Sequence, residues 1–278
     1  MKHVVITGAS SGIGQAAAVR LAEAGFQVWA GVRKDADAKA WKKVPNARAL
    51  KIDVASDESV ASALAEARDA LTDAGEVHLV NNAGIAVSGP VEGVSIERWK
   101  EQFEVNVFGL LRATQAFLPF VRGTRGRVVN ISSVSGLATS PYLGPYSASK
   151  FAVEAISDAL RRELRQFGCR VIVLEPGPIA TPIWEKNFEK KDVVLNSMPV
   201  DLRDVYGREL EKFLKGAAKS ARGAVPVDRV SDAIELALTA AKPKARYVVG
   251  AKGLPAAMTV AGLLPDSWVD AIVAREFR

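Results

Sequence analysis

The chain has 278 residues, 49% of them hydrophobic and 24% charged, a balance that suits one large α/β unit and excludes disordered, collagen-like and disulfide-rich classes. The single cysteine, Cys169, allows no intrachain disulfide, and with only His3 and His78 beside it no zinc-ligand spacing is within reach. The net charge of +6 is spread in pairs such as Lys42–Lys43 and Arg161–Arg162, which fits an anionic small molecule and a solvated surface better than nucleic acid. The opening MKHVVITG enters a strand pattern without a signal peptide, and the apolar run Gly253–Pro265 is shorter than the about 20 residues of a membrane span. The expectation is a cytoplasmic protein with no transmembrane span.

Val4–Thr7 reads as a β-branched strand. Gly8-Ala9-Ser10-Ser11-Gly12-Ile13-Gly14 follows, then an Ala-rich helix over Gln15–Ala24 that stops at Gly25. A glycine turn between strand and helix lets backbone N–H groups approach a pyrophosphate at the positive end of the helix dipole. Gln15 after Gly14 excludes the Lys-Ser/Thr of a nucleoside-triphosphate loop. A plain structural turn would use the same residues, but the position straight after the first strand favours a dinucleotide.

Gln27–Val32 is the second strand. An acid at its end would bond a ribose 2′-hydroxyl, but Val32 stands there, followed by Arg33 and Lys34. An arginine fork suits a 2′-phosphate, so NADP(H) is preferred and NAD(H) stays open, since Asp35 and Asp37 follow closely. Ala49–Ile52 is the third strand, ending at Asp53-Val54. Asp53 is placed to accept from an adenine amino group or to serve as a turn residue. Asp57–Ala74 is an amphipathic helix capped by Asp57 or Ser56. Val77–Val80 is the fourth strand, and Asn81-Asn82-Ala83-Gly84 after it suits backbone lying against a flat cofactor. Both asparagines can bind backbone groups there. Ile96–Val121 is a long helical region in which Asn106 sits among apolar neighbours. It reads either as a satisfied core amide or as a residue that kinks the helix and holds a water.

Arg127–Ile131 is a fifth, buried strand that delivers NISSVSGLATSPYLGPYSASKF, uncharged until Lys150. Tyr146 and Lys150 lie one turn apart at the opening of a helix over Tyr146–Phe167. Ser133 precedes Tyr146 just past the strand, with Ser132 facing the opposite way. The stretch reads as the reaction centre of a nicotinamide-dependent oxidoreductase. Arg170–Glu175 is a sixth, central parallel strand, broken by Pro176-Gly177-Pro178-Ile179-Ala180-Thr181-Pro182. From Ile183 to Ala224, charges cluster while Trp184, Phe188, Leu210 and Phe213 recur at roughly helical spacing. This reads as a helical cover over the site. Val227–Ala241 is a helix, Arg246–Val249 a last strand and Ala256–Phe277 an apolar helical tail. The alternation of strands and helices predicts an α/β, Rossmann-like doubly wound parallel sheet of about seven strands with helices on both faces. Residues 1–278 would form one such domain, with the insertion at about 183–224 and the tail at about 255–278.

Thr7-Gly8-x-x-x-Gly12-x-Gly14, Asn81-Asn82-Ala83-Gly84, Asn106, Ser133, Tyr146-x-x-x-Lys150 and Pro176-Gly177-x-x-x-Thr181 together resemble the short-chain dehydrogenase/reductase family, in its order and spacing, from residue 1 to about 182. The resemblance implies a catalytic tetrad of Asn106, Ser133, Tyr146 and Lys150. Tyr146 would protonate a carbonyl or deprotonate an alcohol, and Ser133 would donate to the substrate oxygen. Asn106 would hold a water linking Lys150 to solvent. Lys150 would bond the nicotinamide ribose and draw down the tyrosine, by at most about three units. It also implies cofactor contacts at Gly8, Ser10, Ser11, Gly12, Ile13 and Gly14, with Ser11 beside a 2′-phosphate. Further contacts follow at Arg33, Asp53, Val54, Asn81, Ala83 and Gly84, and at Pro176, Gly177, Ile179 and Thr181, with Thr181 on the nicotinamide amide.

Arg246-Tyr247-Val248-Val249-Gly250 and Leu263-Leu264-Pro265-Asp266-Ser267-Trp268 are similar to the retinol and 17β-hydroxysteroid dehydrogenase branch. That similarity implies a lipophilic alcohol or ketone, steroid- or retinoid-like. A smaller ketone, an acyl-thioester, or a dinucleotide-sensing protein without turnover are the alternatives. Apolar surface on the two long helices, and their pairing in the family, imply a homodimer or homotetramer.

Overall fold

The computed structural model describes residues 1–181, 194, 198–261 and 264–276. Seven parallel strands form one sheet: β1 Lys2–Ile6, β2 Gln27–Val32, β3 Ala47–Lys51, β4 Glu76–Asn81, β5 Arg127–Ile131, β6 Arg170–Pro176 and β7 Arg246–Val249, in the order β3-β2-β1-β4-β5-β6-β7. The chain winds outward from β1 to β3, returns, and winds outward the other way from β4. The connections leaving the carboxyl ends of the paired strands β1 and β4 therefore run in opposite directions and open a crevice at this switch point. Strand alternation divides the core into two layers. Val4 and Ile6 pack with Ala17, Leu21, Ile234 and Leu238, under helices α1 (Gly12–Glu23) and α8 (Asp228–Thr239). On the other face Val5 and Leu79 pack with Leu71, Phe117, Val121 and Leu164, from α3 (Asp57–Thr72), α5 (Gly109–Gly123) and α6 (Gly144–Leu164). Ser56, not Asp57, caps α3, its hydroxyl accepting from the Ser59 amide at 3.1 Å.

Three details differ from the sequence reading. A short helix, α2 (Asp35–Trp41), crosses from β2 to β3. Its seven residues carry one buried anchor, Trp41, too few for a period to emerge. The long helical region is two α-helices, α4 (Ile96–Phe103) and α5, joined by a π-helical turn over Glu104–Phe108 that carries Asn106. The tail is two helices, α9 (Leu254–Ala261) and α10 (Asp266–Glu276), because Pro265 has no N–H to continue a helix and instead accepts from Trp268 at its carbonyl. Of the stretch expected to cover the site, α7 (Val200–Arg222) is described, whereas Trp184 and Phe188 lie outside the described residues. Among the described residues no helix is long and apolar enough to cross a membrane, and no cluster of three His, Cys, Asp or Glu could hold a metal ion.

Phe117 is wholly buried, and Phe117→Ala leaves a cavity that α5 and the sheet cannot close. It should cost about 3–5 kcal/mol, read from urea denaturation.

Candidate active site

A cavity of about 860 Å³ opens along the carboxyl ends of the strands, at the switch point. Its floor is the turn after β1. Gly8 has φ +67°, and a Cβ there would sit 2.8 Å from the Ala83 Cα. A Cβ on Gly14 would run into the Gly8 carbonyl and the Asn82 amide. Both positions must be glycine for the turn after β1 to touch the turn after β4. Asn82 fastens that contact: its Nδ2 donates to the Thr7 and Gly8 carbonyls, both at 3.0 Å. The Thr7 hydroxyl in return accepts from the Asn82 and Ala83 amides, both at 3.0 Å. Asn81, expected at the cofactor, does not line the cavity. It is the last strand residue, so alternation turns it toward the helices, where its Nδ2 donates to Thr114 and to Asn130, both at 2.9 Å. Asn82 takes the cavity-facing place instead.

The open end of α1 faces this cavity. Ser11 precedes it in extended conformation without a side-chain cap, and the first turn carries no acid. Its leading amides are thus unscreened toward an anion. Ser10, Ser11, Gly12 and Ile13 line this wall, while Arg33 lines the end nearest β2. Asp35 and Asp37 do not line it, and Asp35 instead pairs with Lys51 at 3.0 Å. Asp53 and Val54 line the far end. Asp53 Oδ1 accepts from the Ala55 amide at 3.0 Å, so the carboxylate closes a turn and also borders the cavity. This set of amides, one guanidinium and small residues fits an anionic dinucleotide.

At the other end, β5 and α6 deliver Ser133, Tyr146 and Lys150 to one wall. The Ser133 hydroxyl donates to the Pro176 carbonyl at 3.4 Å and accepts from the Ser135 amide at 3.1 Å. Ser132 also borders the cavity, but its hydroxyl finds no partner among the described residues. The Lys150 ammonium donates to the Ile131 carbonyl at 2.8 Å and lies 5.7 Å from the centre of the Tyr146 ring. Desolvation lowers Lys150 to about 8, against the opposing pull of Glu154. Burial pushes Tyr146 above its ordinary value, and the neighbouring Ser133 hydroxyl works the other way. The net direction is upward, opposite to the lowering expected from Lys150. The ammonium is spent on a backbone carbonyl, and the loss of solvent around the phenol outweighs any pull.

Asn106 does not line the cavity. Its Oδ1 accepts from the Ile85 amide at 2.8 Å, and its Nδ2 donates to the Ile85 carbonyl at 3.0 Å and the Ser149 hydroxyl at 3.1 Å. Both amide hydrogens are committed to protein, so they are not available to hold a water. Gln102, which the sequence reading passed over, assists: it accepts from Val87 at 2.7 Å and donates to Ile85 at 2.9 Å. Its signal is faint, one amide on the inner side of an amphipathic helix. Pro176, Gly177, Ile179 and Thr181 form the lip after β6, opposite Lys212, Phe213, Gly216 and Ala217 of α7. Phe213 is anchored with Val194, Met198 and Leu210 against Tyr142 and Leu143, which fixes α7 over the reaction end.

A family model described as short chain dehydrogenase matches residues 2–192. The NADPH-dependent 3-dehydrocapnine reductase of Ornithobacterium rhinotracheale is 40% identical over 287 aligned residues, covering 100% of this chain and 98% of the relative. The mitochondrial D-beta-hydroxybutyrate dehydrogenase of Mus musculus is 38% identical, over 88% of this chain and 76% of that one. The 17-beta-hydroxysteroid dehydrogenase type 6 of Bos taurus is 35% identical, over 90% and 80%. Among solved structures, a short chain dehydrogenase from Burkholderia cenocepacia in complex with NADP superposes with a TM-score of 0.68 at 28% identity, covering 95% of this chain and 98% of that one.

Proposed function

The chain belongs to the short-chain dehydrogenase family, and on that footing we propose an NADP(H)-dependent oxidoreductase that interconverts a carbonyl and its alcohol, a secondary alcohol and ketone or an aldehyde. The observation that carries this reading is the convergence of Ser133, Tyr146 and Lys150 on the cavity that the glycine turn and Arg33 also line. When bound, the nicotinamide cofactor supplies or accepts the hydride. The α1 amides would hold its pyrophosphate, Arg33 would pair with a 2′-phosphate, and Thr181 would bond the carboxamide. Asp53 and Val54 would border the adenine, and Lys150 would bond the ribose.

Tyr146 donates its proton to the carbonyl oxygen, and Ser133 donates a hydrogen bond to the same atom as negative charge gathers on it. A phenol held above its ordinary value stays protonated at neutral pH, which suits the reductive direction. Lys150 keeps its positive charge below about 8 and offsets the phenolate left behind. Asn106 acts as a positioning residue: through Ser149 it ties α6, beside Lys150, to the loop at Ile85. The substrate is lipophilic in this reading, held between Phe213 and Leu143 at the reaction end of the cavity. The likeness to a hydroxysteroid dehydrogenase supports this, whereas the likeness to a hydroxybutyrate dehydrogenase favours a smaller one. A cytoplasmic setting belongs to the same proposal, as does a homodimer or homotetramer joined through the α4 to α6 surface, where Ile96, Phe108 and Phe151 stand 62%, 49% and 44% exposed.

Tyr146→Phe should lower NADPH-dependent ketone reduction by about 10²–10⁴-fold while NADPH still binds by fluorescence titration; full turnover in this variant would sink the mechanism. The wild-type reduction rate should fall as pH rises through about 8, where Lys150 loses its proton. Arg33→Asp should weaken NADPH about 10–100-fold and leave NADH nearly unchanged, since a charge-assisted bond contributes about 1.5–3 kcal/mol. Light scattering should give a mass of two or four chains, and a strict monomer would refute the assembly.

A further inference from the structure

Behind Lys150 lies a group of charges that the reaction scheme does not use. Tyr146, Lys150, Glu154 and Asp158 recur every fourth residue and so share one face of α6. Glu154 is 8% exposed and Lys150 7%. Glu175, on β6, is 1% exposed and faces the same place. Arg246, the first residue of β7, reaches between them. Its Nε donates to Glu154 Oε2 at 3.1 Å and lies 3.3 Å from Glu175 Oε1, while its Nη2 donates to Asp158 at 2.8 Å. Glu154 Oε1 and Glu175 Oε1 each find no hydrogen-bond donor among the described residues.

Two buried carboxylates crowd one guanidinium N–H, and Asp158 draws on the same arginine besides Arg161 at 2.8 Å and Arg162 at 3.1 Å. A second full negative charge beside Glu154 is therefore poorly compensated, and the low-energy state keeps one proton. Among the described residues, no other packed element places a hydrogen-bond donor on either Oε1. Val134–Gly136 holds no titratable side chain, and Arg98 and Glu101 of α4 bond each other. Glu104 of the π-turn pairs with Arg112, and Arg127 of β5 bonds the Ala237 carbonyl. Tyr247 beside Arg246 accepts from the Lys244 amide.

We propose that Glu175 keeps a proton beside Glu154 under the grip of Arg246, and that the charge of this buried carboxylate pair positions and tunes Lys150 from behind. The inference rests on the assignment of Tyr146 and Lys150 as the reacting pair. Glu175 is raised to about 7, first by burial, then by Glu154, with Arg246 opposing. Glu154 in turn supports the charged form of Lys150. The pair gains negative charge as pH rises through neutrality, which helps keep the ammonium protonated where it would otherwise be lost.

The test compares wild type, Glu175→Gln and Glu154→Gln, using NADPH-dependent reduction of 9,10-phenanthrenequinone from pH 5.5 to 9.5 and thermal melting at pH 5 and pH 8. The wild-type profile should bend near neutrality, and Glu175→Gln should lose that bend. Glu154→Gln should move the alkaline limb down by about one pH unit. Melting supplies a readout that needs no substrate. Because the folded Glu175 holds its proton from its ordinary value of 4.5 up to about 7, wild-type stability falls across that window and is level above it. The melting advantage of Glu175→Gln over wild type should therefore be larger at pH 8 than at pH 5. An advantage equal at both pH values overturns the pair even if no variant folds well enough to assay. Wild-type profiles retained by both variants overturn the link to Lys150. Failure of wild type to oxidise NADPH would count against the proposed function, and the melting comparison would still decide the pair.

Discussion

The amide of Asn82 joins the two halves of the molecule. The carbonyls of Thr7 and Gly8 lie past the end of β1, where the chain leaves the sheet at the switch point. Asn82 reaches across to both, and Thr7 returns two bonds. The floor of the cavity is this weld, and the glycines at positions 8 and 14 are what let it close. Asn82 is half-buried at the cavity floor, and the two bonds of its Nδ2 hold the two turns together. The wall built by Ser133, Tyr146 and Lys150 stands in a fixed place relative to the α1 amides because the turns after β1 and β4 cannot drift apart.

Much of this was legible in the residues. The inner strands are largely buried apolar runs, so their positions emerge within one or two residues; β2, β5 and the half-buried edge strand β7 coincide with the sequence reading. Tyr146, Lys150 and Ser133 stand out because polar residues between a strand and a helix have few structural reasons to be there. What stayed hidden depends on alternation and on distance along the chain. Asn81 and Asn82 are chemically identical neighbours, and only the end of the pleat decides which one faces the cavity. Gln102 matters because it meets Ile85 and Val87 across a fold no local pattern records. The four-residue stripe on α6 was visible as far as Lys150, but its continuation through Glu154 acquires meaning only when β6 and β7 bring Glu175 and Arg246 beside it.

The electrostatics of the reaction end show where a residue-pair estimate fails. Lys150 and Tyr146 are one turn apart, which suggests a strong attraction between ammonium and phenolate. In the folded chain both lose solvent at once, and burial moves the lysine down and the tyrosine up, each toward its neutral form. The ammonium compensates through the Ile131 carbonyl and Glu154 rather than through its partner. The folded scaffold by itself therefore favours a proton donor over a proton acceptor at Tyr146.

The π-turn at Glu104–Phe108 widens one helical turn by a single residue. Before it, Gln102 faces the loop at Ile85; within it, Asn106 faces the same loop; after it, Thr114, Phe117 and Val121 face the sheet. An uninterrupted α-helix advances about 100° per residue, so removing one residue here would twist the first half against the second and turn either the amides or the core anchors outward. Surface loops tolerate changes of length with little consequence, but the residue count between Gln102 and Thr114 is fixed by two surfaces at once. In this helix an insertion or deletion would be more damaging than nearly any substitution.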